Sequence, residues 1–564
     1  MDCFPEVRSQ NWLAGGGGGF VLAGLLAAGA AGLSAAAAAP GFSKGPYLQA
    51  PGADTMTICW ESLVDQPAVV RYGAGERLDQ TIAVPPPRRL VGVSTRTRSS
   101  VFAGKTNTVT RRTTNEFFVY AAALPKLEPD TAYSYAVELG EARSKRRQFR
   151  TFGTAREKVS FVAYGDSRSN PNRHARIVRQ LARHEPGFIL HTGDLVARGR
   201  DYALWSTEFF RPLRSVIDHV PVLPALGNHE EDATNYLAYF HLPEPERWYS
   251  LDVGPVHLLA LDFHFEHATN RQFAFARRDL LASRAPWKIV FLHYPMFNVG
   301  GHMTTWGHEA YLPLFHEAGV ALVLSGHSHV YERFRPEAPR GSLPDGGITH
   351  ITTGGGGAPL YPVYDHPALA VRASTNHFVA FEATAERLRG RAVTAAGETL
   401  DEFELRKAGS QPMLAPGTGV YPEEALKLWF EVSRQLTARL ASRPSRSGPA
   451  WVMFTVKPLK ASAVSHRLTI GLAADSAPHY RLIGESPVVL TPPASSGDRV
   501  VWAQVLASGT KRLTTNSSGE LSPPLVFQAT VSDGEFDFTS RGARSRVSAI
   551  AADALKGPNR PGLR

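Results

Sequence analysis

The sequence predicts three folded units in series: a β-sandwich, a layered α/β domain, and a small β-rich or α+β domain. Three observations carry that expectation. The chain has 564 residues, far more than one hydrophobic core serves. Residues 44–151 read as short aromatic and β-branched runs separated by turn residues. From about Glu157 onward, strands of buried type alternate with stretches of helical apolar spacing.

Ahead of the sandwich, no charged side chain occurs from Ser9 to Ser43. The run "GGGGGFVLAGLLAAGAAGLSAAAAAP" reads as an apolar secretory segment followed by small residues suited to cleavage, so residues 1–40 are expected to direct export to a periplasmic, secreted or cell-surface location. Asp2 and Glu6 against a single Arg8 are atypical of such a leader, and an uncleaved membrane anchor is the alternative. The two cysteines, Cys3 and Cys59, provide no disulfide framework; Cys59, in "TMTICWES", reads as a small buried hydrophobe. The formal charge of +10 is spread along the chain, which favours anionic substrates. Basic residues do not alternate with aromatics as in single-strand binders, so no nucleic acid is expected as a dedicated partner.

Within residues 41–153, "TMTICWES", "PAVVRYG", "NEFFVYAAAL" and "AYSYAVEL" are strand-like, and a Pro-Asp turn precedes the last. About 100 residues of this kind suggest a sandwich of the fibronectin type III sort. The polar, Arg-rich insert "VPPPRRLVGVSTRTRSSVFAGKTNTVTRRTT" reads as a loop or irregular hairpin. Within 156–407, "VSFVAYGD", "GFILHTGD", "VPVLPALGNH", "PVHLLALDF", "WKIVFLHYP" and "VALVLSGHSH" read as strands. Helices are expected at "HARIVRQLARH", "DYALWSTEFFRPLRSVI", "RQFAFARRDLLASRA" and "EAYLPLFHEAG". Residues 408–540 form an accessory unit without recognisable chemistry, with one helix at "PEEALKLWFEVSRQLTARLAS" followed by β-like runs. Residues 541–564 read as a basic, disordered tail.

The chemistry lies at the strand ends of the α/β unit. Five strands finish in residues of metal-ligand type: Asp166, Asp194, Asn228 with His229, His293, and His327 with His329. Ligands of layered α/β domains gather at the carboxyl ends of strands. A glycine just before the ligand lets the backbone turn sharply there. Mixed imidazole, amide and carboxylate donors suit Zn, Mn or Fe rather than Ca or Mg.

The ordered set Gly165-Asp166, Gly193-Asp194, Gly227-Asn228-His229-Glu230, His293 and Gly326-His327-Ser328-His329 resembles that of the calcineurin-like metallophosphoesterases. With "GPYLQ", "LEPDTAYSYAV" and "HVYER", Lys44 to Leu405 resembles the purple acid phosphatases more narrowly. The resemblance implies two metal ions bridged by Asp194. The first would take Asp166, Asp194 and His329; the second would take Asp194, Asn228, His293 and His327. It implies hydrolysis of phosphate esters by a metal-bound hydroxide, with His229 orienting the phosphate or protonating the leaving oxygen. An acid-phosphatase-like phosphomonoesterase is the reading. A phosphodiesterase or phospholipid hydrolase on the same scaffold, and a non-catalytic exported binding protein with a relict site, are the alternatives. The partner is a phosphate-ester substrate, with membrane or cell-surface association possible through the N-terminal segment.

Two departures from the pattern bear on the first ion. Coloured relatives have a Tyr three residues after the second Asp, where this chain has Ala197, so a colourless protein is expected unless another Tyr, such as Tyr202, takes its place. The wider superfamily often has a His two residues after the first Asp; here it is Arg168, a candidate to bind substrate phosphate. His302 and His308, in "NVGGHMTTWGHEAY", fall on the loop expected to line the pocket, His302 being the better candidate. Gly354–Gly357 reads as a tight turn at the pocket rim, not a nucleotide loop, because no Gly-Lys-Ser/Thr follows.

Overall fold

The computed structural model describes residues 41–102, 105–338 and 347–406, and shorter stretches between 421 and 547. The expected leader and residues 548–564 of the expected tail lie outside the described residues, but the start of that tail is not disordered. Ala543–Arg544 pairs with Phe527 and Val526, and Arg546–Val547 with Arg439 and Leu440, so sheet pairing claims residues whose basic composition suggested a tail. No helix among the described residues is long and apolar enough to cross a membrane.

Residues 41–150 form two antiparallel sheets, one of four strands and one of five, around a core that includes Trp60, Tyr133, Tyr135 and Phe149. Trp60 stacks on Tyr120 with ring centroids 5.2 Å apart. The Arg-rich insert differs from expectation. It is a regular hairpin in which Arg88–Phe102 pairs with Lys105–Leu124, without a register shift from Arg88↔Val119 to Phe102↔Lys105. Its Thr, Ser and Val content provides the strand propensity that the polar composition obscured.

The α/β unit stacks two sheets face to face. The first orders Val222–Pro224, Phe188–His191, Val159–Tyr164, His377–Ala383, Arg387–Thr394 and Thr399–Arg406. The second runs from Tyr249–Val253 through Val256–Ala260, Trp287–Phe291, Leu322–Ser325 and Thr349–Thr353 to Tyr331–Phe334 and Leu369–Ala373. Phe161 and Ile189 of one sheet share a core with Leu258, Phe291 and Leu324 of the other. Helix Pro171–Leu181 covers the first sheet. Its N-cap is Asn170, whose side chain accepts from the Arg173 amide, and proline follows at the first helical position. Helices Arg271–Ala282 and Tyr311–Ala318 pack on the outer face of the second sheet. The segment expected as one helix from Asp201 is helical over Tyr202–Leu213 but widens to a π-helical turn at Trp205–Phe210, which buries Trp205, Phe209 and Phe210 together.

The sandwich is tied to the α/β unit by buried polar groups. Glu61 takes Lys44 at 2.5 Å, the Tyr202 hydroxyl at 2.8 Å and the Tyr239 hydroxyl at 2.9 Å. Tyr202 is therefore committed to this joint. A buried carboxylate needs such donors to offset the loss of water.

Beyond Arg406, two further β-sheets share a core with Phe454, Leu468 and Phe527, which makes the described part of this unit β-rich. The expected helix at 422–442 does not extend to its end. Leu436–Leu440 is a strand, with Leu436, Ala438 and Leu440 buried and Thr437 and Arg439 exposed. "LTARL" satisfies a period of two as well as a helical one, and sheet pairing with Ala450–Val456 decides between them.

Candidate metal centre

Every strand-end residue singled out in the sequence reaches one place. Strands Val159–Tyr164, Phe188–His191 and Val222–Pro224 run parallel, so the loops after them emerge side by side. The loops after Trp287–Phe291 and Leu322–Ser325 emerge from the facing sheet. Asp166, Asp194 and His327 all take positive φ, at +56°, +57° and +66°. This conformation is uncommon for non-glycine residues and characteristic of functional sites.

Glu230 gathers the loops. Its buried carboxylate accepts the amides of Gly227 at 2.7 Å, Leu195 at 2.8 Å and Asp194 at 2.9 Å. Burial, and then the charge of Asp194, raises its carboxyl above the ordinary range against the pull of those amides. Glu230 enters the sequence reading only as the end of the Gly227-Asn228-His229-Glu230 motif, with no role assigned to it. Its position directly after Gly-Asn-His is the only signal there, because its role depends on three loops meeting.

The imidazoles are oriented from behind. His293 Nδ1 lies 2.8 Å from the Thr192 carbonyl, His329 Nδ1 2.6 Å from that of Pro359, and His229 Nδ1 2.7 Å from that of Ala197. A carbonyl can only accept, so each Nδ1 carries the proton, and each Nε2 presents a lone pair to the site. His293 Nε2 is 3.0 Å from Asn228 Oδ1 and 3.3 Å from Asp194 Oδ1. His329 Nε2 is 3.4 Å from Asp166 Oδ1, which is buried without a hydrogen-bond partner among the described residues. Burial, and then His293 and His302, pushes His327 down to about 2, leaving it a neutral donor; its ring centroid lies 5.0 Å from that of His293. Lone pairs facing one another without a proton between them suit a cation: ligand atoms of Asp166, Asp194 and His293 lie within 4.8 Å of one another, with Asn228 Oδ1 beside His293. Burial disfavours the charged form of Asp194. His293, His229, the His229 amide and Arg168 outweigh that effect and hold its carboxyl below the usual value.

The other side of the site differs. Arg168 places Nε 3.1 Å from Asp194 Oδ2, Nη2 3.3 Å from His329 Nε2 and Nη1 3.3 Å from Ser169 Oγ. The Ala197 amide donates to Glu208 at 2.7 Å, and the Tyr202 hydroxyl is held by Glu61, so neither position brings a phenolate here.

His302 lies at the rim, exposed, with its ring centroid 5.0 Å from that of His327 and Nε2 3.0 Å from the Tyr361 hydroxyl. Tyr361, absent from the sequence reading, stacks on His329 at 4.4 Å. His308 does not line the pocket. It is buried against Phe297, with Nε2 2.6 Å from the Met296 carbonyl, and burial lowers it to about 3. Gly354–Gly357 is not a turn demanding positive φ. A Cβ on Gly356 would lie 2.4 Å from the Gly165 carbonyl, and one on Gly354 would lie 2.3 Å from that of Ser328, so the run is glycine because it passes directly beneath the ligand loops.

A second His/carboxylate group lies away from this centre. His316 Nε2 is 3.3 Å from Glu337 and 3.0 Å from Glu423, Glu423 pairs with Lys427, and His350 Nε2 is 3.1 Å from Glu337.

Comparison with known proteins agrees with the strand-end geometry. Residues 159–331 match the calcineurin-like phosphoesterase family, and residues 44–151 match the purple acid phosphatase N-terminal domain. The chain carries a calcineurin-like phosphoesterase domain behind a purple acid phosphatase N-terminal domain. These matches support a phosphoric ester hydrolase of the kind that uses a dinuclear metal centre. The chain is 25% identical to acid phosphatase type 7 of Danio rerio, over 51% of this chain and 71% of that protein. It is 28% identical to an uncharacterized protein of Mycobacterium tuberculosis, over 48% of this chain and 64% of the relative. It is 33% identical to purple acid phosphatase 22 of Arabidopsis thaliana, over 30% of this chain and 44% of that protein. The purple acid phosphatase PPD1 from yellow lupin seeds shares the fold, with a TM-score of 0.52 and 19% identity over 66% of this chain and 77% of that one.

Proposed function

We propose that this metallophosphoesterase is an exported phosphatase that hydrolyses phosphomonoesters at the strand-end centre. The observation that carries the reading is that His293 Nε2, its ring proton held on Nδ1, lies 3.0 Å from Asn228 Oδ1 and 3.3 Å from Asp194 Oδ1. A cation held there would place positive charge on a phosphoryl oxygen and make water a better nucleophile. The chain's own groups do the rest. The His229 amide donates to Asp194 Oδ1 at 2.9 Å and Arg168 Nε donates to Oδ2 at 3.1 Å, which together fix the carboxylate. Arg168 brings a guanidinium to the anionic ester. His229 is half-buried, with Nδ1–H anchored on Ala197 and Nε2 3.8 Å from Asp194 Oδ2, so Nε2, once it has taken up a second proton, can pass it to a leaving oxygen on the solvent side. His302 and Tyr361 line the rim.

The reading is tested by stripping the metal, restoring Mn, Zn or Fe in turn, and following a chromogenic phosphomonoester and the matching diester. Metal-dependent monoester turnover, abolished by Asp194→Asn, is expected. Turnover of the diester well above the monoester would move the assignment to a phosphodiesterase, and folded protein inactive with every metal would end it.

A further inference from the structure

The two ends of the centre are not equally built to hold an ion. At the second position His293 Nε2 faces Asn228 Oδ1 and Asp194 Oδ1, with the neutral His327 ring beside it. The first retains Asp166, Asp194 and His329, and two of those three acceptors already receive N–H bonds from Arg168, at 3.1 and 3.3 Å. The Arg168 side chain is only 15% exposed, and Ser169 Oγ holds its outer edge. The remaining ligand places of the first position are filled by residues that cannot ligate: Ala197 has no donor atom, and a guanidinium has no lone pair to give. Only Asp166 Oδ1 is left unpartnered, and one oxygen does not make a coordination shell. The residues at the first position therefore do not fit a second ion.

Charge leads to the same result. Asp166 and Asp194 are both buried, and two such carboxylates need positive charge beside them. One divalent ion in the second position balances them, and Arg168 then leaves the site cationic, as an anionic ester requires. A second divalent ion would sit against a guanidinium of like charge at contact distance.

Granted the metal-dependent reading above, we propose that Arg168 is the resident cation of the first position, so that this chain holds one metal ion where its family uses two. The guanidinium takes over the neutralisation of Asp194 and the orientation of His329 that an ion would otherwise provide. It cannot be stripped by chelation.

The test counts metal. Wild-type protein, Arg168→Lys, Arg168→His and the double variant Arg168→His with Ala197→Tyr are loaded with excess Mn(II), desalted, analysed for metal per chain by mass spectrometry, and examined by electron paramagnetic resonance. Wild type and Arg168→Lys are expected to hold about one ion and show the hyperfine pattern of isolated Mn(II), and the double variant about two, with exchange coupling. Two ions in the wild type, with ester turnover, would overturn the proposal and leave the phosphatase reading intact. One ion in the wild type and in both histidine-bearing variants would also overturn it, because Arg168 would not then set the count. No bound ion and no turnover in any form would end both.

Discussion

Two groups of histidines and carboxylates in this chain use the same residue types for opposite ends. At the strand-end centre, the second nitrogen of His293 and of His329 donates to a backbone carbonyl, so the lone pairs turn inward and the carboxylates meet acceptors. At His316, the ring faces Glu337 and Glu423 directly, and Lys427 supplies a further positive charge. The first arrangement turns bare lone pairs on one another; in the second, His316, raised by its two carboxylates, and Lys427 set positive charge against Glu337 and Glu423. The difference shows that clustered ligand residues are distinguished by where their protons point, more than by their identity or spacing. The His316 group ties Glu423, beyond the α/β sheets, to Glu337 and to helix Tyr311–Ala318.

The sharpest way to break the comparison is to neutralise one carboxylate in each group. Asp194→Asn is expected to lower ester turnover by about 10³-fold or more, whereas Glu423→Gln leaves turnover within about twofold, as steady-state kinetics will show. Replacing His229 with Gln should cost about 10²–10³-fold in kcat. The loss should shrink for esters whose leaving group needs no proton, which a leaving-group series reads directly.

Alkali sharpens the contrast. Burial opposes the charged form of His316, but its contacts with Glu337 and Glu423 outweigh that and raise it to about 9. Its contribution is therefore full below an unfolded value near 6.5 and is lost as pH rises through about 9. Thermal unfolding between pH 7 and 10 should show a fall of about 2 kcal/mol that is absent in His316→Gln. Chelation should do the reverse, lowering Tm through the strand-end centre and leaving the His316 contribution unchanged. The smallest expected signal is optical. With Ala197 in place of a phenol and Tyr202 held by Glu61, the iron-loaded protein should show no strong phenolate-to-iron band in its visible spectrum.

The strand-end centre was legible in the sequence because each ligand follows a buried run, most of them with glycine just ahead. The supports behind the ligands were not. Glu230, Tyr361 and the carbonyls of Thr192 and Pro359 act only once distant loops meet. His308 looked like a pocket residue because the loop that carries it belongs to the pocket; whether a loop histidine turns inward depends on tertiary packing. Polar composition hid the regular hairpin of residues 88–124, and a five-residue run compatible with both periods hid the strand Leu436–Leu440.

The positive φ of Asp166, Asp194 and His327 bears on how such a centre is lost. Each costs on the order of 1 kcal/mol of folding free energy, so glycine at these places relieves the backbone even as it removes the ligand. Mutational decay would then run downhill for the fold: a lineage no longer selected for hydrolysis should drift toward glycine and asparagine at these positions and become more heat-resistant as it falls silent.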